Sequence, residues 1–290
     1  MESDRPGRDF VLVLSCPDRP GIVAEVSGYL AAAGCNIAQS QQFGDPDSGR
    51  FFMRVQFTPL GDAAGDADRL AGGFAPVADR FRMTWRLVDN ARRSRVLIMV
   101  SGHGHCLNDL LYRHSIGTLR MDVPAVVSNH PDLAWLADNF AVPFHHIPVT
   151  PQTRTDAETE LAGLLDDLDV DLVVLARYMQ VLSPDLCKRL EGRAINIHHS
   201  MLPSFKGARP YQQAHDRGVK LVGATAHYVT TDLDEGPIIE QEVARVDHTM
   251  SVEELTAAGR DVECRALARA VRWHIENRVL LNGPRTVVLR

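Results

Sequence analysis

The chain has 290 residues, of which 45% are apolar and 23% charged, a size and composition that fit about two globular domains. Its formal charge of −6 is scattered, which disfavours a basic nucleic-acid-binding face, and no run approaches the ~20 apolar residues of a membrane span. Five widely spaced cysteines without a CxxC motif, and a charged N-terminus without an apolar signal segment, indicate reduced thiols in a cytoplasmic protein.

Residues 1–88 are predicted to form a β-α-β-β-α-β unit. Short β-branched runs predict strands, and apolar residues at helical spacing predict helices. Gly34 stands where a glycine commonly ends a helix. The predicted elements are strand 10–15, helix 22–33, strands 36–43 and 50–57, helix 62–78 and strand 81–88. We expect an α+β fold with both helices on one face of the sheet.

Residues 89–94 are polar and predict a short linker to a second unit at residues 95–290. There, short apolar runs without polar alternation predict strands that are buried on both faces. The predicted strands are 96–100, 125–127, 172–175, 194–197, 221–229 and 238–243, and the predicted helices are 155–168, 183–190 and 252 to about 278. This alternation predicts an α/β fold with a doubly wound, mostly parallel sheet.

Polar side chains cluster where one of these strands ends. Side chains alternate along a strand, so Asn196 and His198 share one face while Ile195 and Ile197 can enter the core. Ligands bind beyond the carboxyl ends of strands in such sheets. Asp234, in a later acidic loop, could order or deprotonate a water. Amide, imidazole and carboxylate together suit acyl transfer or hydrolysis, although such a strand end can also be purely structural.

Two segments carry a family resemblance: INIHHSMLPSF at residues 195–205 and HYVTTDLDEGPII at residues 227–239. They resemble the folate-dependent formyltransferase and formyl-hydrolase superfamily, which implies a formyltransferase-like variant of the Rossmann fold. The resemblance implies that the catalytic residues are Asn196, His198 and Asp234. It also implies a folate pocket, for which we expect contacts from Leu175, Arg177, Tyr178, Met179 and Gly236. For Met179, ordinary core packing is the alternative.

The N-terminal unit resembles an ACT regulatory domain in the stretches DRPGIV at residues 18–23 and GCNI at residues 34–37. This resemblance implies a small amino-acid effector, glycine or methionine, bound at a subunit interface of a homo-oligomer, a dimer or tetramer. The expected effector contacts are Asp18, Gly21 and Asn36. The alternative is that this unit only assembles the oligomer.

An ACT unit ahead of such a domain, together with HCLNDLL at residues 105–111, resembles the formyltetrahydrofolate deformylase family. This implies hydrolysis of 10-formyltetrahydrofolate to tetrahydrofolate and formate, which supplies formate for purine biosynthesis and balances the one-carbon folate pool. Folate is then the substrate, and no cofactor or metal is expected. The alternatives are a glycinamide ribonucleotide formyltransferase and a non-catalytic sensor of folate or amino acids.

Four further histidines are harder to assign. The stretch SGHGH at residues 101–105 is either a phosphate-cradling loop or a tight strand-to-helix turn. We expect His103 and His105 to be surface or capping residues, because no carboxylate lies at a ligand spacing. His199 is expected to be a polar loop residue, and His227 is expected to brace the loop that carries Asp234.

Overall fold

The structure, a computed structural model, describes residues 9–60, 66–202 and 210–290. Residue contacts divide the chain into two compact units. The first contains the described residues up to Arg93 together with residues 276–282 and 287–290, and the second contains the described residues between 94 and 275 together with residues 283–286. The predicted second unit, residues 95–290, therefore differs from the observed one at the C-terminal end.

The first unit is built on an antiparallel sheet with the strand order β2-β3-β1-β4. Its elements are β1 (Phe10–Pro17), α1 (Ile22–Ala32), β2 (Cys35–Asp45), β3 (Arg50–Pro59), α2 (Ala67–Phe81) and β4 (Thr84–Asp89). This is the predicted α+β fold, and apolar residues of both helices pack on one face of the sheet. Gly34 follows α1 with a φ of 73°, as expected of a helix-ending glycine. Part of the predicted helix 62–78 lies outside the described residues.

The other face of this sheet packs against the C-terminal end of the chain. A hairpin there consists of β13 (Val279–Asn282) and β14 (Arg285–Val288). Leu280 and Leu289 pack against Val11, Val13 and Phe52 in a separate apolar cluster. No strand was predicted in this region, although an Asn-Gly pair between short apolar runs is a hairpin signal.

A buried arginine helps to hold the C-terminal segment within the first unit. Arg54 is 2% exposed; its Nε donates to the Glu276 carbonyl at 3.1 Å and its Nη1 donates to Gln39 Oε1 at 3.0 Å. Burial, and then the nearby charge of Arg278, lower the pKa of Arg54 to about 10. The guanidinium therefore remains charged at neutral pH, and its hydrogen bonds compensate for its removal from water.

The second unit contains a mostly parallel sheet with the order β12-β11-β10-β9-β5-β7-β8, and β6 pairs with β5. The unit contains β5 (Ser94–Val100), α3 (His105–Ser115), β6 (Met121–Asp122), β7 (Val126–Ser128), α4 (Ala134–Asp138), β8 (Phe144–His146), α5 (Arg154–Asp167), β9 (Leu172–Leu175), α6 (Pro184–Arg189), β10 (Ala194–His198), α7 (Pro210–Asp216), β11 (Leu221–Tyr228), β12 (Ile238–Arg245) and α8 (Val252–Ile275). The predicted doubly wound fold is confirmed, and the later strand pair, β11 and β12, is antiparallel. Among the described helices, none combines the length and apolar character needed to cross a bilayer.

Candidate active site

Strand β10 lies between β9 and β11 and presents two polar side chains on one face. Ile195 and Ile197 are buried, whereas Asn196 and His198 are only partly buried, as strand alternation predicts. Asn196 pairs with Leu175 on β9 and with His227 on β11. The sheet register therefore brings the ends of three strands together at this point.

The loop after β11 brings Asp234 to the same place. Asp234 has a φ of 57°, a left-handed conformation that aspartate tolerates better than most residues. Its Oδ2 lies 3.2 Å from Nδ1 of His198, and its Oδ1 lies 3.7 Å from Nε2 of His227. The adjacent imidazole of His198, and then that of His227, hold the pKa of Asp234 well below its ordinary value despite partial burial. Asp234 is therefore a carboxylate at neutral pH.

His227 connects the amide of Asn196 to the loop. Its Nδ1 lies 2.9 Å from the Tyr228 carbonyl, which can only accept, so Nδ1 carries a proton. In the neutral ring, Nε2 then accepts a hydrogen bond from Nδ2 of Asn196 at 3.3 Å. The predicted bracing role of His227 thus has a geometric basis, because its ring orients the amide and lies beside Asp234.

The imidazole of His198 has two different sides. Its Nδ1 faces Asp234, so the carboxylate favours a proton on that nitrogen. Its Nε2 is buried and has no hydrogen-bond partner among the described residues. A buried polar nitrogen without a partner is costly, so its presence at a cavity indicates a group that interacts with a ligand.

A cavity of about 270 Å³ opens beside these side chains. It is lined by residues from three segments, 175–182, 196–199 and 227–234, and by Cys187. Four of the expected folate contacts line the cavity together with the catalytic candidates: Leu175, Arg177, Tyr178 and Met179. The fifth, Gly236, is not one of the described lining residues. A Cβ on Gly236 would lie 1.7 Å from the Tyr228 carbonyl oxygen, so this glycine permits close backbone packing.

The start of the SGHGH stretch anchors one wall of the cavity. Ser101 is 2% exposed; its Oγ accepts from the Met179 N–H at 2.9 Å and donates to Asn129 Oδ1 at 2.6 Å. A Cβ on Gly104 would lie 3.1 Å from Leu133 Cδ2, so close packing explains that glycine. These contacts favour the tight strand-to-helix turn over a phosphate-cradling loop.

His199 belongs to the site, although the sequence analysis treated it as a polar loop residue. It lines the cavity, and its ring stacks on that of His198 with centroids 4.9 Å apart. Burial, and then the charge of Arg177, lower the pKa of His199 to about 4. His199 is thus a neutral imidazole at neutral pH. Its position directly after His198 was the sequence signal that could have identified it.

The expectation that His105 is a surface or capping residue was wrong. Its Nε2 lies 2.7 Å from Oε2 of Glu263, a residue of α8 that is 1% exposed. Glu263 also accepts a hydrogen bond from the Tyr211 hydroxyl at 2.7 Å and lies 3.5 Å from Nε of Arg177. His105 and Glu263 are 158 positions apart, so a search for nearby ligand spacings could not reveal this carboxylate.

Within the described parts of the chain, one group brings three potential metal ligands within 4.8 Å of one another: His105, Cys106 and Glu263. Hydrogen bonding with Cys264, and then burial, raise the pKa of the Cys106 thiol well above its ordinary value. Arg177 already supplies a positive charge to Glu263.

The expected effector contacts lie on the first unit, and all are exposed in the single chain. Asp18 directly follows β1, and Gly21, with a φ of 96°, precedes α1. Asn36 pairs with Thr58 near one end of β3, whereas β1 ends opposite Arg50 at the other end. Asn36 and Asp18 therefore lie at opposite ends of the sheet, and one protomer does not bring them together.

Comparison with known proteins places the chain in a family. Residues 94–271 match the formyl transferase family model, and residues 10–70 match the ACT domain model. A formyltetrahydrofolate deformylase of Corynebacterium sp. (strain P-1) is 53% identical, covering 97% of this chain and 98% of its own length. The crystal structure of formyltetrahydrofolate deformylase from Burkholderia mallei is 54% identical, with a TM-score of 0.92, and the match covers 98% of this chain and 100% of that one. The chain belongs to the formyltetrahydrofolate deformylase family.

The wider superfamily is also recognisable. Glycinamide ribonucleotide transformylase 1 from Symbiobacterium toebii is 33% identical, with a TM-score of 0.64. That match covers 95% of the transformylase but only 68% of this chain. The deformylases thus match nearly the whole chain, whereas the transformylase leaves about a third of it unmatched. The resemblance to the deformylase family inferred from the sequence motifs is confirmed.

Proposed function

We propose that this chain hydrolyses 10-formyltetrahydrofolate to tetrahydrofolate and formate, with Asn196, His198 and Asp234 as its catalytic residues. The observation that carries the proposal is the contact between His198 and Asp234 at the cavity wall, which leaves the second imidazole nitrogen of His198 without a partner. Membership of the deformylase family over both units supports water as the acceptor.

In the proposed reaction, Asp234 orients the attacking water. Its ionised oxygens accept a hydrogen bond from the water, which then adds to the formyl carbon. Because its pKa is held low, Asp234 is a weak base at rest and takes the proton only as the attack develops. The bond between the formyl carbon and N10 then breaks. N10 receives the proton that the water lost, and formic acid leaves and releases its remaining proton to solvent to become formate.

His198 and Asn196 are proposed to stabilise the oxyanion. Protonated His198 donates from Nε2 to the formyl oxygen as negative charge develops there, while Asp234 holds the opposite nitrogen. The Asn196 amide has a second N–H beyond the one directed at His227, and this N–H can also donate. Preorganised donors of this kind act mainly on the transition state, because they cost little reorganisation during the reaction.

The folate is proposed to bind along the wall formed by Leu175 and residues 177–182. Met179 and Val181 are more than half exposed, which favours a ligand contact over core packing for Met179. The backbone of this wall is fixed by Ser101, so the pocket is largely preformed. Gly236 contributes indirectly, by letting the loop with Asp234 pack against Tyr228.

One assay separates hydrolysis from the two alternative activities. The purified protein is supplied with 10-formyltetrahydrofolate, with and without glycinamide ribonucleotide, and formate and tetrahydrofolate are measured. We expect equal amounts of both products without any acceptor. A requirement for glycinamide ribonucleotide would instead identify a transferase, and folate binding without either product would identify a sensor.

The ACT unit is proposed to bind a small amino acid, glycine or methionine, at an interface between subunits. Its expected contacts, Asp18, Gly21 and Asn36, are exposed and do not meet within one protomer, which supports a site completed by a second subunit. We expect glycine or methionine to change the rate of formate release, and Asn36→Ala to weaken that response. Titration of both amino acids against activity tests this, and no response would leave assembly as the role of the unit.

A further inference from the structure

Arg177 has a strained backbone at a position that hydrolysis by the three catalytic candidates does not require. Its φ of 66° lies in the left-handed region, which is unfavourable for a residue with a side chain and costs glycine little. Such strain persists where surrounding contacts impose it, and it is concentrated at functional sites. A glycine would suit this backbone better, so the arginine side chain itself must serve a purpose.

A buried carboxylate holds that side chain. The Arg177 side chain is 11% exposed, and its Nε forms an ion pair with Oε2 of Glu263 at 3.5 Å, where the Glu263 side chain is 2% exposed. This contact is an ion pair and not a hydrogen bond, since Nε has no hydrogen-bond partner among the described residues. Glu263 receives hydrogen bonds from His105 Nε2 and from the Tyr211 hydroxyl, both at 2.7 Å. The loop after β9 and three helices, α3, α7 and α8, thus contribute to one buried network. A network with so many partners has a defined geometry.

The charge of Glu263 fixes the arginine. Burial raises the pKa of Glu263, but the hydrogen bond from His105, the charge of Arg177 and the hydrogen bond from Tyr211 together outweigh it. The pKa of Glu263 therefore lies below its ordinary value, and the residue is negative at neutral pH. If the Arg177 side chain were removed, Glu263 would keep its hydrogen bonds with His105 and Tyr211. We therefore expect such a variant to fold.

The arginine lies close to the catalytic candidates. Arg177 and His199 both line the cavity, and the charge of Arg177 acts on His199 strongly enough to help keep it neutral. Arg177 therefore adjoins the part of the cavity wall formed by His199. The His199 ring stacks on His198, whose imidazole is proposed to bind the formyl oxygen.

Space beside these residues is limited. The cavity measures about 270 Å³, which lies below the roughly 300–1,000 Å³ of sites that hold one drug-sized ligand. A folate headgroup and a water can share such a cavity, but a folate and a second organic substrate need more room. Arg177 lines this cavity, so its side chain limits the room left beside a bound folate.

We propose that Arg177, held by Glu263, closes the acceptor side of the catalytic residues, so that water reaches the formyl carbon and amines do not. The proposal rests on the hydrolase activity proposed above and adds the residue that selects the acceptor. The guanidinium excludes amines by its volume. It also repels aliphatic amines, which are mostly protonated at neutral pH. Arg177 is thus a specificity-determining residue.

The test compares the wild-type chain with Arg177→Gly and with the double variant Arg177→Gly, Glu263→Gln. Glycine relieves the backbone strain at position 177. In the double variant, glutamine at position 263 also removes the negative charge that Glu263 would retain without its arginine partner. Each protein receives 10-formyltetrahydrofolate with hydroxylamine or glycinamide over a range of concentrations. In transfer, the amine nitrogen bonds to the formyl carbon, the bond to N10 breaks, and N10 takes the proton that the amine loses. The ratio of N-formyl product to formate is measured.

We expect almost exclusively formate from the wild type, with a small measurable product ratio, and an increase of about 10–200-fold in that ratio for both variants, the range in which small changes of pocket volume act on specificity. Arg189→Ala is the matched control, because Arg189 forms an ion pair with Asp166 at the surface and does not line the cavity. Its product ratio should equal that of the wild type.

Three results would overturn the proposal: variants that release formate but form no N-formyl product, variants without any turnover, and a wild type that already formylates amines as readily as the variants do. The second result would mean that Arg177 binds the folate or acts in the reaction itself, and a folate-binding measurement on the variants separates the two. Failure of the hydrolase assignment is distinguishable, because it would appear as a wild type that releases no formate without an acceptor.

Discussion

Asp234→Asn is expected to fold, to bind folate and to lose nearly all formate release. The amide keeps the shape of the side chain but removes the charge that pairs with His198 and the oxygen that accepts the proton of the water. Loss of a positioned general base typically lowers a rate by about 10²–10⁴-fold. Single-turnover formate release measures the chemical step, and folate binding is followed separately by fluorescence or calorimetry.

Glu235→Gln is the matched control for this variant. Glu235 is the next residue in the same loop, is exposed and does not line the cavity, so its substitution removes one negative charge without touching the proposed machinery. We expect its turnover to remain close to that of the wild type. Formate release by Asp234→Asn at a rate similar to that of this control would show that Asp234 is not a catalytic residue.

Gly236→Ala is expected to displace the loop that carries Asp234, and so to lower both stability and activity. A Cβ at this position would lie 1.7 Å from the backbone oxygen of Tyr228 and 3.2 Å from Nδ1 of His227. Backbone atoms cannot rotate away as a flexible side chain can, so the strand end or the loop must shift. Inserting a group into a packed site commonly costs about 1–3 kcal/mol, and this contact is severe enough to reach the upper end of that range. Thermal unfolding and turnover are the two measurements.

Gly163→Ala tests whether the effect is specific to that position. Gly163 lies within α5, and a Cβ there would meet nothing within 4 Å. Alanine in a helix interior is favoured over glycine by about 1 kcal/mol, so this variant should be slightly stabilised with unchanged turnover. If Gly236→Ala behaved in the same way as this control, close packing at Tyr228 would not constrain the loop.

The parts of the fold that the sequence predicted well depend on local patterns. The run Leu172–Leu175 is uninterrupted and apolar, and it forms β9 with the predicted bounds. Strand alternation placed Asn196 and His198 on one face, which is how β10 presents them. The short elements β6 and α4 were not predicted, because a few residues carry too little periodicity to identify a strand or a helix.

The parts of the site that were missed depend on contacts between distant residues. Glu263 lies in the middle of a long helix, where its sequence neighbours give no sign that His105 and Arg177 will surround it. Asp234 was identified through its motif, but its low pKa depends on two histidines from two different strands. A sequence motif can thus identify the reacting groups, whereas the residues that shape their surroundings emerge from tertiary packing.

The C-terminal hairpin has a consequence for dissecting the protein. Leu280 and Leu289 pack with Val11 and Phe52, and Asn282 donates a hydrogen bond to the buried Asp45. A truncation that removed residues 1–93 would leave Leu280, Asn282 and Leu289 exposed, because the residues that they contact would be missing. The first unit is therefore not a detachable N-terminal module. A catalytic fragment intended to behave well in solution should also end near Ile275, at the close of α8.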